Sequence, residues 1–157
     1  MSDAPSTAPS PTAAEDAALQ SALAAAHTAV WGYAVVGAAL PLEQREPVAV
    51  ARQVHRDLRD RLAGLLTSRG VEPVGAEGGY ALPFPVLSPT DAAALGVVLE
   101  DGTAAAWVRV LDQAAERGTR ELALTALTGA EVRAVGWRTA AAQTPVTRAL
   151  PGLPPRD

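Results

Sequence analysis

Four residue types are missing from this 157-residue chain: cysteine, lysine, isoleucine and asparagine. Without cysteine there is no disulfide, no thiolate nucleophile, no thiolate zinc site and no cysteine-ligated iron–sulfur cluster. Without lysine there is no phosphate-loop lysine, and the glycine spacings show no dinucleotide fingerprint either. All 13 basic residues are therefore arginine, and against 17 acids they leave a formal net charge of −4. That balance disfavours sequence-independent phosphate binding, so no nucleic-acid partner is expected. Histidine is scarce, with only His27 and His55. A Ser–His hydrolase would need one of them beside Ser21, Ser68 or Ser88, and no spacing suggests it. No uninterrupted run of 18 apolar residues occurs, and the first residues lack the basic and apolar stretches of a signal peptide. A cytoplasmic protein with no membrane partner is the expectation.

What is abundant is alanine, at 35 residues. An alanine-rich chain poor in β-branched residues leans helical, and its length suits one domain with a sizeable core. Residues 1–13 are Pro, Ser, Ala and Thr with one acid, too little apolar surface to offset ordering, and are expected to be a disordered tail. Residues 14–154 form the domain and 155–157 a second tail. Stop signals divide the domain into four helices near 14–40, 46–69, 89–117 and 119–142. The first begins with Glu15 and Asp16, which suit a helix N-terminus, and stops at Pro41. The second has Pro47 near its start and Gly70 at its end. The third is capped by Ser88 ahead of Pro89 and Asp91, and Thr119 is the expected cap of the fourth. Residues 70–88 hold too many Pro and Gly for a helix and read as a long crossover. Two helical hairpins joined by one long crossover describe a ferritin-like four-helix bundle, an all-α fold.

Spacing places the chemistry on faces. Leu19, Leu23, Ala26, Val30, Tyr33, Gly37 and Leu40 make one stripe of the first helix. On the second, His55 lies in a stripe with Val48, Ala51, Leu58, Leu62 and Leu65, and should face inward. On the fourth, the series Leu124, Leu127, Glu131, Ala134 and Arg138 places Glu131 inward, while Glu100 sits at the border of the third helix's buried face. A core histidine held by a hydrogen bond is the plain reading of His55, and an ion pair with Arg138, Arg52 or His55 is that of Glu131. Trp31, Tyr33, Trp107 and Trp137 read as core or interface fillers.

The segments AHTAVWGYAVVGAAL (26–40), HRDLRDRLAGLLTSRG (55–70), YALPFPV (80–86), EDGTAAAWVRVL (100–111), EVRAVGWR (131–138) and LPGLP (150–154) together resemble the ferritin-like family called domain of unknown function 4439. The resemblance spans residues 17–154 and implies a ferritin-like bundle, without an activity. Ferritin-like oxidases build a dinuclear site from a Glu on each of two helices and Glu-x-x-His on the others. Here Ala26 precedes His27 where a carboxylate is wanted, Arg52 stands three before His55, and Ala134 stands three after Glu131. The candidate ligands shrink to His27, His55, Glu100 and Glu131. A non-enzymatic binding or structural module with no cofactor is therefore expected. The alternative is a metal-binding protein or metal-dependent oxidoreductase that uses iron or manganese on this reduced set. An apolar fraction of 48%, three tryptophans and the helical Gly32, Gly37, Gly96, Gly102 and Gly136 offer more apolar surface and close-approach positions than one bundle interior needs, and the resemblance implies a two-fold homodimer, with another protein partner as the alternative.

Overall fold

The computed structural model describes residues 11–154, so the expectations for 1–10 and for the 155–157 tail lie outside the described residues. The described residues hold four α-helices: α1 (Pro11–Ala39), α2 (Glu46–Ser68), α3 (Pro89–Gln113) and α4 (Arg117–Ala140). A single 3-10 turn, Leu42–Gln44, joins α1 to α2. Helix α1 already runs through residues 11–13, which the sequence assigns to the tail. Pro is tolerated in a first helical turn, where its missing N–H has no intrahelical partner to lose.

The terminal signals act largely as their chemistry requires. Ser88 Oγ accepts from the Asp91 amide at 3.1 Å, with Pro89 in the first turn of α3. Gly70 takes φ +74° just past α2, and the Val71 amide returns to the Leu66 carbonyl, closing the helix. Thr119 is not the cap of α4. That helix starts two residues earlier at Arg117, and Thr119 is turned inward to another partner.

The crossover defines the topology. Gln20 on α1 donates to the Glu72 carbonyl at 2.6 Å and accepts from the Val74 amide at 2.8 Å. Higher on the same helix, His27 lies 3.1 Å from the Val74 carbonyl and Trp31 packs against Tyr80 at 5.5 Å. Phe84 and Val86 close the climb beside Val36 and Leu40. Residues 69–88 thus run up α1 from its start to its end, and α3 begins where α1 finishes. The helices run up, down, down, up.

Helix α1 packs on α2 and α3, and α3 on α4, whereas α2 and α4 make almost no direct contact. Two apolar clusters fill the interior. One joins Tyr33, Val36, Leu95, Leu99 and Trp137; the other joins Leu19, Leu23, Leu62, Trp107 and Val110. By length and composition α1 could cross a membrane from Thr12 to Ala39, a property the run-length reading missed. Here it is the bundle's central helix, with Leu19, Leu23, Tyr33 and Val36 buried. A core helix of this kind meets the same length and composition criteria.

The inward face of α4 is displaced from the expected series. Ala123, Ala126, Ala130, Ala134 and Trp137 are buried, while Leu124 is 59 % exposed. The large side chains flank the contact because alanines let α3 and α4 approach closely, and Gly96 supplies the tightest point. A Cβ at Gly96 would lie 2.7 Å from the Trp137 ring, whereas one at Gly136 would meet nothing within 4 Å. Gly96→Ala is therefore expected to lower the unfolding free energy by about 1–3 kcal/mol, since an indole in a packed core cannot move aside. Gly136→Ala, on the exposed side of α4, should raise it by about 0.5–1 kcal/mol through helix propensity. Urea midpoints of the two variants check the opposite signs.

Candidate functional site

At mid-bundle, between the two apolar clusters, sits a polar centre. Tyr33 comes from α1, His55 from α2, Glu100 from α3 and Arg133 from α4. Tyr33, His55 and Glu100 are completely buried, and the Arg133 side chain is 18 % exposed. Glu100 is not a border residue, because α3 packs on both α1 and α4 and is buried on two faces.

Glu100 Oε1 accepts from the Tyr33 hydroxyl at 2.5 Å, from His55 Nε2 at 3.0 Å and from Arg133 Nε at 2.9 Å. Its Oε2 accepts from Arg133 Nη2 at 3.0 Å, so the guanidinium grips the carboxylate with two bonds. Burial alone would raise the Glu100 carboxyl; donation from His55 and Arg133 outweighs it and holds the group below its ordinary value. Because the carboxylate only accepts, Nε2 of His55 carries the proton, and Nδ1 has no hydrogen-bond partner among the described residues. Tyr33 stacks on His55 at 5.6 Å and tilts against Trp137 at 5.8 Å. Burial, reinforced by the charge of Glu100, pushes its phenol far up, so it stays a donor. Glu100 is thus held ionised and Tyr33 protonated. Proton transfer is most efficient when the catalytic group titrates near working pH, and neither Glu100 nor Tyr33 does.

The four candidate ligands are not brought together. His55 and Glu100 meet, but His27 lies under the crossover at the Val74 carbonyl, and Glu131 is bound to Arg138, Oε1 to Nη1 at 2.7 Å. Among the described residues no three His, Asp or Glu side chains gather as a metal site. The donor set does not fit a dinuclear centre. Two ligands are too few, and a guanidinium already holds the position beside Glu100 that a cation would take.

Two further networks brace the ends. Glu15, fully buried, accepts from Arg69 Nη2 at 2.6 Å, from the Thr119 hydroxyl, and from the Ala115 and Glu116 amides at 2.6 and 3.0 Å. Burial would raise its carboxyl, but these donors hold it down to about 2. Glu15 therefore serves the N-terminus of α4 rather than that of its own helix. At the other end of α4 the buried Arg138 binds Glu131, Asp101 and the Val146 carbonyl. Arg148 joins Asp101 at 2.8 Å and ties down the last segment. Gly152 completes that seal with φ +76° and no room for a Cβ, which would sit 2.6 Å from the Ala104 carbonyl.

Sequence reasoning reached His55, Glu100 and the Glu131–Arg138 pair and missed Arg133, Glu15 and Arg69. Arg133 lies at the edge of the inward series Ala126, Ala130, Ala134, and its long arm carries charge from there to the centre. A signal existed in the spacing, since Arg133 stands four residues before the inward Trp137.

Residues 18–155 match the family described as domain of unknown function DUF4439. A crystal structure of a conserved hypothetical protein from Mycobacterium tuberculosis is similar, with 40% sequence identity and a TM-score of 0.78 over 80% of this chain and 96% of that one. No curated protein matches. With its family matched across most of its length and its fold shared with that relative, this chain belongs to the DUF4439 family.

Proposed function

We propose that this protein is a non-enzymatic, ferritin-like helical module that binds a partner or ligand, its metal centre replaced by an internal ion pair. The up-down-down-up order and the long crossover support the ferritin-like reading. The observation that carries the proposal is the double bond of Arg133 to Glu100. A fixed cation neutralises the one mid-bundle carboxylate, and an ionised, fully engaged Glu100 has little left to ligate with or to accept a proton.

The other reading is an oxidoreductase or metal carrier that uses iron or manganese on His55 and Glu100, and those two side chains do meet. Expression in medium supplemented with both metals, followed by elemental analysis, separates the two. The module reading expects less than about one tenth of a metal per chain, because two ligands beside a guanidinium bind divalent ions weakly. Stoichiometric iron or manganese, lost in His55→Ala and Glu100→Gln, would overturn it.

Pairing with a second copy belongs to the same proposal, on narrower ground than the composition suggests. Trp107 and Trp137 are buried within one chain, Trp31 packs on Tyr80, and Gly32 and Gly96 accommodate Leu99 and Trp137. What supports pairing is Leu124, a large apolar side chain exposed on the outer face of α4 and outside the cleft that α4 borders with α2. Light scattering at micromolar concentration is expected to give the mass of a dimer, and a monomer throughout would remove this part.

A further inference from the structure

Where α2 and α4 fail to meet, the bundle is open. A cleft of about 780 Å³ lies there, floored by Leu40, Ala51 and Ala93 and walled by Val50 of α2 and Val132 and Trp137 of α4. That volume is of the size that encloses a small organic ligand, and its lining is mainly apolar, as such sites are. Three charged side chains border it: Arg133, Glu43 and Glu46. Arg133 is already matched by Glu100. Glu43, in the turn before α2, and Glu46, at the start of that helix, are exposed, and their side chains have no hydrogen bond or ion pair among the described residues. The unbalanced charge of the cleft is thus two carboxylates at the end of an apolar trough. Its wall is continuous with the polar centre through Arg133 and Trp137.

We propose that this cleft binds a small organic cation, an amine carried on an aromatic or branched aliphatic body. The body fills the trough against Trp137 and Val132, and the ammonium meets Glu43 and Glu46. An acid of the same shape is rejected, because it would add a third carboxylate where only one guanidinium is present and that one is neutralised. The inference deepens the reading of a binding module by naming the class of ligand. It is tested separately, since metal content decides the module reading and head-group preference decides this one.

The test uses three probes with one body, phenylbutylamine, phenylbutanol and phenylbutyrate, titrated into the full chain by calorimetry and by amide chemical shifts. The amine is expected to bind saturably and about tenfold more tightly than the alcohol, with the butyrate weakest, as two solvent-exposed charge pairs would give. The shifts should map to Val50, Val132 and Gly136. In Glu43→Gln/Glu46→Gln the amine should fall to the affinity of the alcohol while the alcohol is unchanged. Gly136→Leu, which meets no atom at its Cβ, should keep its melting temperature and lose all three probes. Equal affinity for amine and butyrate, an unchanged amine preference in the double variant, or no saturable shift would each overturn the proposal. So would a wild-type dimer that Gly136→Leu converts to monomer, because the cleft would then be covered by a second copy.

Discussion

Glu15→Ala is expected to lower the unfolding free energy at pH 7 by about 3 kcal/mol, although the residue lies close to the chain's beginning. In the fold its carboxyl is held down to about 2, against an ordinary 4.5. A group depressed in this way contributes stability that is fully present above 4.5 and is lost as pH falls through the interval down to 2. The wild type should accordingly lose stability across that interval, and the variant should lose less. Urea midpoints at pH 7 and pH 2 give both numbers, with a gap that is wide at pH 7 and nearly closed at pH 2. Two curves that stay parallel would mean that Arg69 and the Ala115 and Glu116 amides do not depend on this carboxylate. The mechanical reason for a large effect is that Glu15 joins three elements. It reaches Arg69 just past α2 and both Thr119 and the amides that lead into α4, two elements whose helices scarcely pack on each other directly.

Glu100→Ala should cost still more, about 3–5 kcal/mol, because it leaves a largely covered guanidinium, an imidazole N–H and a phenol without their acceptor. Glu100→Gln is expected to fall between wild type and Ala. Its amide oxygen can still accept from Tyr33 or His55, but its NH₂ faces the N–H groups of Arg133. Arg133→Leu alone leaves the buried Glu100 carboxyl with only Tyr33 and His55 as partners and no guanidinium to match its charge. The double variant Glu100→Met/Arg133→Leu removes both charges and should be more stable than the sum of the single losses predicts, by about 1–3 kcal/mol. Chemical denaturation of wild type, Glu100→Met, Arg133→Leu and the double variant completes the cycle. Strict additivity would show that the two side chains are independent, and the claim that an ion pair organises the centre would fail.

These effects concentrate at the polar links because α2 and α4 are held together through side chains rather than by helix packing. Arg69 spans them at one end, through Glu15, Glu116 and Thr119. At mid-bundle the link is His55 to Glu100 to Arg133. A bundle filled by alanine has little apolar volume to offer between non-adjacent helices, so long arginine arms close the distance.

The amino-acid sequence alone determined the helical class, the four elements and most of their ends. Pro41, Gly70 and Ser88 with Pro89 act through neighbouring backbone groups, and local chemistry of that kind does not depend on the fold. It also determined that His55 and Tyr33 face inward, because both fall on a stripe of large apolar residues whose period is that of a helix. Only the tertiary structure decided the rest. The face of α4 was legible only in part: Ala134 and Arg138 of the expected series are buried, but alanine carries too small a hydrophobic signal to mark a stripe, and Leu124 drew the series toward solvent. Glu15 shows the same limit. Its partners lie about a hundred residues away, and nothing in the spacing around a first-turn acid says that another helix will place its amides there. The candidate ligands His27, His55, Glu100 and Glu131 are compatible by type, but ligation requires a shared point in space. That point is decided by how α1, α3 and α4 rotate about their axes, and the rotation followed the packing of alanines and of Gly96 against Trp137, leaving Arg133 at the centre and Glu131 outside it.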